Sequence, residues 1–253
     1  MLPKNKRPIP DSHKQLQRKK IYDAAISLQP MPPCDENPIP HGLENGNKKT
    51  GITGKLFEKI FVWNMPMRAT CPGASAWCRL NCYNLDMRQD VFPIQQWQQN
   101  WWWALNNPVA LEERISQQLS EHDSKCIGVR LHSCGDFYSA DYIAMWHKIC
   151  VMFPQVQFWG YTRSWADPNL LDSLSRFASL SNVNLFASWD STMQRAPAGW
   201  RKSIVASTND DVIQYHSEKN AFICPEQYLQ VDCCADCGFC IRDGTENVIF
   251  ILH

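Results

Sequence analysis

The sequence predicts an α/β fold in which a parallel, barrel-like sheet, complete or partial, carries helices on its outside. Three observations lead there. Short apolar runs of strand length recur along the chain, helix-patterned segments lie between several of them, and each run is followed by polar residues. Parallel strands covered on both faces read as nearly continuous apolar runs rather than as alternating ones. A doubly wound open sheet would produce much the same pattern and stands as the alternative.

Residues 1–50 are rich in Pro, Asn and Lys, with only a short apolar stretch at Ile21–Leu28, and read as an irregular arm. Residues 51–253 read as a single α/β domain. Its expected strands are 60–63, 127–131, 156–160, 183–187, 203–206 and 221–223, each apolar and rich in β-branched or aromatic residues. The clearest helix is 168–180. There Asp167 can cap, Pro168 takes the first helical position, and Leu170, Leu171, Leu174, Phe177 and Leu180 share a face. Segments 109–120 and 141–152 read similarly. The run Trp101-Trp102-Trp103 is expected in the core or on a helix-packing face, because large aromatics are mostly buried.

A chain of 253 residues with 44% hydrophobic content can bury a core without covalent staples. Its twelve cysteines therefore call for another explanation. No secretory signal pattern and no apolar run long enough to span a bilayer is evident, so a soluble, cytoplasmic protein without membrane attachment is expected. In a reducing compartment, closely spaced cysteines indicate metal binding or redox chemistry. Net charge is zero, yet residues 1–20 hold Lys4, Lys6, Arg7, Lys14, Arg18, Lys19 and Lys20 against Asp11, which leaves +6 there and −6 elsewhere. Such an arm is either a solvated terminus or a contact for a nucleic-acid backbone.

The polar segments after the strands should gather at the carboxyl end of a parallel sheet, where such folds place their sites. The first holds Cys71, Cys78 and Cys82 in C-x6-C-x3-C spacing. Three thiolates can hold three corners of a metal site and leave a fourth position open. Next come His132-Ser133-Cys134-Gly135-Asp136, then Tyr161-Thr162-Arg163-Ser164, then Ser188-Trp189-Asp190. Arg163 could fix an anionic group, and Asp136 or Asp190 could bind an ammonium or transfer a proton as catalytic residues; the alternative for each is a loop salt bridge or a helix cap. Cys134 borders the expected cavity with nothing beside it in sequence to pair with.

The tail carries a second set, Cys234-x2-Cys237-x2-Cys240, with Cys224 or Cys233 as the fourth ligand. The tight spacing is that of part of the bacterial ferredoxin pattern and favours a [4Fe–4S] cluster, with four-thiolate zinc as the alternative metal. Cys126 and Cys150 adjoin apolar runs and are expected in the core.

These residues give the chain a resemblance to the phage-associated gene product 88 family, from about Asn45 to the C-terminus. It is carried by Asn47-Lys48-Lys49-Thr50-Gly51, by Thr70-Cys71-Pro72-Gly73-Ala74-Ser75 with Cys78 and Cys82-Tyr83, and by His132 with Gly135-Asp136-Phe137. Tyr161-Thr162-Arg163-Ser164-Trp165, Cys224-Pro225 and Cys234-Ala235-Asp236-Cys237-Gly238-Phe239-Cys240 complete it. That family implies no reaction. More distantly, the layout is similar to that of the radical S-adenosylmethionine enzymes, although their three-cysteine loop is spaced C-x3-C-x2-C. That second resemblance implies a cluster on Cys71, Cys78 and Cys82, S-adenosylmethionine met by Gly135 and Asp136, and an auxiliary cluster in the tail; Ser164 is a further candidate for cofactor contact. The substrate of such an enzyme is not legible, with nucleotide or nucleic acid suggested by the phage association and the basic arm, and the alternative is a non-enzymatic accessory protein whose zinc-held cysteines pin loops for contact with nucleic acid or another protein.

Overall fold

The computed structural model describes residues 27–34, 38–82, 84, 91–122, 126–193, 195–228 and 230–252. The basic stretch 1–20 and the apolar residues 21–26 lie outside them. Among the described residues one eight-stranded sheet runs in the order β1-β2-β3-β4-β5-β6-β8-β7. The strands are β1 (Glu44–Asn45), β2 (Lys59–Trp63), β3 (Ile127–Leu131), β4 (Gln157–Thr162), β5 (Val183–Trp189), β6 (Arg201–Ala206), β7 (Ala221–Ile223) and β8 (Asn247–Ile251). From β2 to β6 neighbours in sequence are neighbours in space and parallel.

That order decides between the two architectures left open by the sequence. A doubly wound sheet reverses direction at a switch point near its middle, whereas here five consecutive strands add in one direction, as in a barrel wall. The wall does not close. β1 caps one edge antiparallel to β2, and β8 inserts between β6 and β7 at the other. The sheet is therefore an open, barrel-like fragment. Glu44 and Asn45 already belong to it, and Leu43 is buried in the apolar core, ahead of the expected start at Gly51.

Right-handed crossovers between parallel strands added in one direction place the connecting helices on one face. Helices α2 (Val91–Asn106) and α3 (Pro108–Ser120) link β2 to β3, α4 (Ala140–Met152) links β3 to β4, and α5 (Pro168–Ala178) links β4 to β5. Each of the last three starts on a side-chain cap, from Asn107, Ser139 and Asp167. They bury Leu111, Ile115, Trp146, Ile149, Leu174 and Phe177 against Trp63, Ile127, Val129, Leu131 and Phe158 of the sheet. Trp103 is buried in this core, and Trp101 and Trp102 pack on it. Helix α6 (Asn209–Lys219) follows β6.

The opposite face, which a closed barrel would turn inward, is covered instead by the chain's own tail. Ile60 and Trp159 pack on Ala235 and Ile241, while Phe186 and Val248 pack on Cys224. No helix of the described residues is long and apolar enough to cross a membrane.

Candidate metal centres

Beyond β2 the chain winds through tight turns, with the Cys71 N–H donating to the Arg68 carbonyl at 3.1 Å, before entering the short helix α1 (Ala76–Asn81). Ser75 caps that helix by accepting from the Cys78 N–H at 3.0 Å. Cys78 and the C-cap residue Cys82, four apart, therefore lie along one side of one turn. The loop presses on the β4 loop. A Cβ added to Gly73 would stand 1.9 Å from the Arg163 carbonyl oxygen, so only glycine allows this approach. The Cys71 thiol is pushed well up by burial, then by Asp136, Cys82, Cys78 and Cys134. The Cys78 thiol is raised by burial against the opposing Arg163 charge. The three thiols expected to cooperate thus share one electrostatic environment, and Cys134 shares it with them.

The polar residues beside them are engaged with the protein itself. Asp136 accepts from the Phe137 N–H at 2.8 Å and the Thr162 hydroxyl at 2.6 Å on one oxygen, and from the Arg163 and Ser164 N–H groups at 2.8 and 3.2 Å on the other. Burial outweighs these bonds and raises its carboxyl above the ordinary range. Asp136 thereby ties the β3 loop to the β4 loop. The Arg163 guanidinium makes a buried ion pair with Asp190, which also accepts from Ser75 at 2.7 Å and from Thr192. Burial alone would raise the Asp190 carboxyl, but the Thr192 and Ser75 hydrogen bonds and the Arg163 charge hold it below its usual range. Gly135, at φ +77°, sits where a Cβ would fall 2.5 Å from the Met65 Cβ, and the Ser164 side chain is fully buried. In this geometry Asp136, Arg163, Asp190, Gly135 and Ser164 lie together at the carboxyl end of the sheet and tie the loops after β2, β3, β4 and β5 to one another. His132, at φ 59°, is pushed by burial down to about 3 and stays neutral, its Nε2 2.8 Å from the Tyr142 hydroxyl.

The second set lies on the sheet face. Helix α7 (Cys234–Cys237), a single turn, is pinned by the Asn47–Gly51 segment: the Cys234 and Ala235 N–H groups donate to the Lys49 and Thr50 carbonyls, both at 2.9 Å. Gly238 ends the turn at φ +66°, a left-handed cap suited to glycine. Cys224, brought in by the end of β7, joins Cys234, Cys237 and Cys240 around one small cavity that Lys49, Tyr161 and Phe239 also line. Cys233 instead packs on Gly51 and donates weakly to Asp236, which settles which of the two candidates faces the cavity. Burial pushes Cys234 up to about 11 and Cys240 up to about 12. Arg130 and Lys49 counter this at Cys234, and the Tyr161 hydroxyl and Arg201 at Cys240. Among the described residues no three His, Cys, Asp or Glu side chains converge as a single-ion site.

The family model described as gene product 88 matches residues 35–243, a span that contains both cysteine sets. The chain belongs to the gene product 88 family. Its relatives include the Gene 88 protein of Mycobacterium phage L5, 24% identical over 239 residues, and that of Mycobacterium phage D29, 24% identical over 241 residues. Each alignment covers 83% of this chain and 91% of the relative. No solved structure matches. These matches lend no support to the resemblance to radical S-adenosylmethionine enzymes.

Within this family member, the sequence passed over three charged residues near the tail cavity and left Cys134 undecided. Arg130 is a charged residue inside an otherwise apolar strand, which was the signal that could have marked it, whereas Arg201 opens β6 beside Lys202 and carried no such signal. Arg130 stands 5.2 Å from the centre of the Tyr161 ring, and Arg201 is 4.3 Å from that of Phe186 while donating to the carbonyls of Phe239, Arg242 and Glu246. Lys49 pairs with Glu226 at 3.0 Å. Cys134 had no sequence neighbour to betray it. Of the other cysteines, Cys150 is buried in the apolar core, Cys126 is half-buried and Cys34 is exposed.

Proposed function

We propose that this protein is an iron–sulfur protein with two thiolate-bound centres, one on Cys71, Cys78 and Cys82 and one on Cys224, Cys234, Cys237 and Cys240. The observation that carries the reading is the tail cavity, because four thiols from two separate chain segments line it together. Buried thiols with raised pKa values are costly to ionise, and a bound cation inverts that balance by deprotonating its ligands. Loading should therefore release protons.

A four-iron cluster is favoured over zinc on one ground: the C-x2-C-x2-C spacing belongs to ferredoxin-type ligation. Such a cluster supplies one-electron redox chemistry. Lys49, Arg130 and Arg201 supply positive charge beside the tail thiolates, and the Tyr161 hydroxyl a hydrogen bond to Cys240.

The test is anaerobic purification followed by iron, sulfide and zinc quantitation and an absorbance spectrum. Broad absorption at about 400 nm with about eight irons per chain supports two four-iron clusters. A colourless protein with one or two zinc ions would establish the structural zinc alternative, and a protein with neither metal ends the reading.

A further inference from the structure

We propose that Cys134 is the fourth thiolate of the first centre, so that both centres are closed four-cysteine sites. The inference rests on the metal reading above and concerns the part of it that the sequence left open.

Register places the residue there. Trp63 of β2 pairs with Leu131 of β3, so the segments leaving these two parallel strands run side by side. The His132 N–H donates to the Trp63 carbonyl at 2.9 Å, the Cys134 N–H to the Asn64 side-chain oxygen at 2.9 Å, and the Met65 N–H to the Cys134 carbonyl at 3.0 Å. The backbone of Cys134 is thus fastened on both sides to the base of the cysteine loop. Its side chain, 2% exposed, packs against Cys82, Met67 and Trp97. Burial pushes the Cys134 thiol well up, with Cys82 adding to the rise and the backbone of Met67 and Gly135 opposing it.

Cys150 is the internal control. It is equally buried, but it sits among core hydrocarbon with burial as the single cause of its raised thiol. That is the ordinary fate of a free cysteine. Cys134 differs in having the thiols of Cys82 and Cys71 in its surroundings. If four thiolates hold the first centre, no coordination position remains for an external ligand. The centre then passes electrons or stabilises the loop, and S-adenosylmethionine has no iron to chelate.

The experiment compares anaerobically purified wild type with Cys134→Ala, Cys134→Ser, Cys78→Ala and Cys150→Ala, by iron and sulfide content and by electron paramagnetic resonance of the reduced proteins. Cys134→Ala should lose the same signal as Cys78→Ala, either the whole centre (about half the iron) or the one iron bound to that thiol, while the tail signal persists and certifies a folded chain. Cys150→Ala should keep both signals. Should Cys134→Ala misfold, Cys134→Ser keeps the size of the side chain and should shift the first signal alone. Full iron and an unchanged spectrum in both Cys134 variants, with the loss still seen in Cys78→Ala, overturns the proposal and leaves the two-centre reading standing. A wild-type spectrum that changes on adding S-adenosylmethionine overturns it too, and metal-free wild type overturns both.

Discussion

The loop set and the tail set offer the same ligand in different electrostatic company. Around Cys71 and Cys78 stand two buried carboxylates, Asp136 and Asp190, balanced in part at Cys78 by Arg163, which pairs with Asp190, and by Arg79. Around Cys234 and Cys240 stand Arg130, Lys49 and Arg201. In a low-dielectric setting a nearby cation stabilises added negative charge and a carboxylate opposes it. The lesson is that charges distant in sequence set the surroundings of each thiol set; if both sets hold clusters as proposed, the tail one should be the first to accept an electron in a reductive titration. Reduction of the loop centre first would break the comparison.

The largest expected effect comes from two glycines that seat one set each. Gly73→Ala forces a Cβ to 1.9 Å from the Arg163 carbonyl, and Gly54→Ala forces one to 2.6 Å from the Ala235 Cβ. Either contact must displace backbone, at a cost of about 3 kcal/mol or more. Gly73→Ala should lose the loop metal and keep the tail metal, and Gly54→Ala the reverse, as read by metal content and thermal melting. Loss of both metals in either variant would show that the sets do not fold independently.

Next in size is Arg201→Ala. It strands three tail carbonyls and removes the stacking on Phe186 and Phe239, for about 3 kcal/mol. Faster proteolysis within 224–246, with the loop centre intact, is the expected outcome. Asp136→Asn turns one carboxylate oxygen into a donor that faces N–H groups of its own kind, at a cost of about 2 kcal/mol, and should loosen the loop centre alone.

The smallest effect is a pH dependence at Glu44, which accepts from Asn64 and Trp97 at 3.2 Å. Burial raises its pKa, so the folded state holds a proton that the unfolded state has already released above about pH 4.5. Its contribution is therefore unpenalised below that pH, and stability is lost as pH rises toward the folded value. Glu44→Gln should melt higher than wild type at neutral pH, with the difference shrinking toward pH 4; an unchanged difference would remove Glu44 from the account.

Much of this was legible locally. The strands at 127–131 and 221–223 stand where the apolar runs put them, and α5 begins at Pro168 behind its Asp167 cap. Helices α2 and α6 went unread because their apolar positions are interrupted by Gln, Asn or charged residues. Strand β8 is as apolar as its neighbours, but its insertion between β6 and β7 follows from pairing, which a single segment does not reveal.

By itself the sequence determined the period of the elements with unbroken apolar patterns, the carboxyl-end location of the loops, and the grouping of Cys71, Cys78 and Cys82 and of Cys234, Cys237 and Cys240, all properties of residues a few positions apart. Tertiary structure alone decided that Cys224 rather than Cys233 faces the tail cavity, that Cys134 lies against Cys82, and that the sheet stays open under its own C-terminal segment. The physical reason is that such contacts depend on strand order and register, and these are fixed by how whole faces bury one another rather than by any short run of side chains.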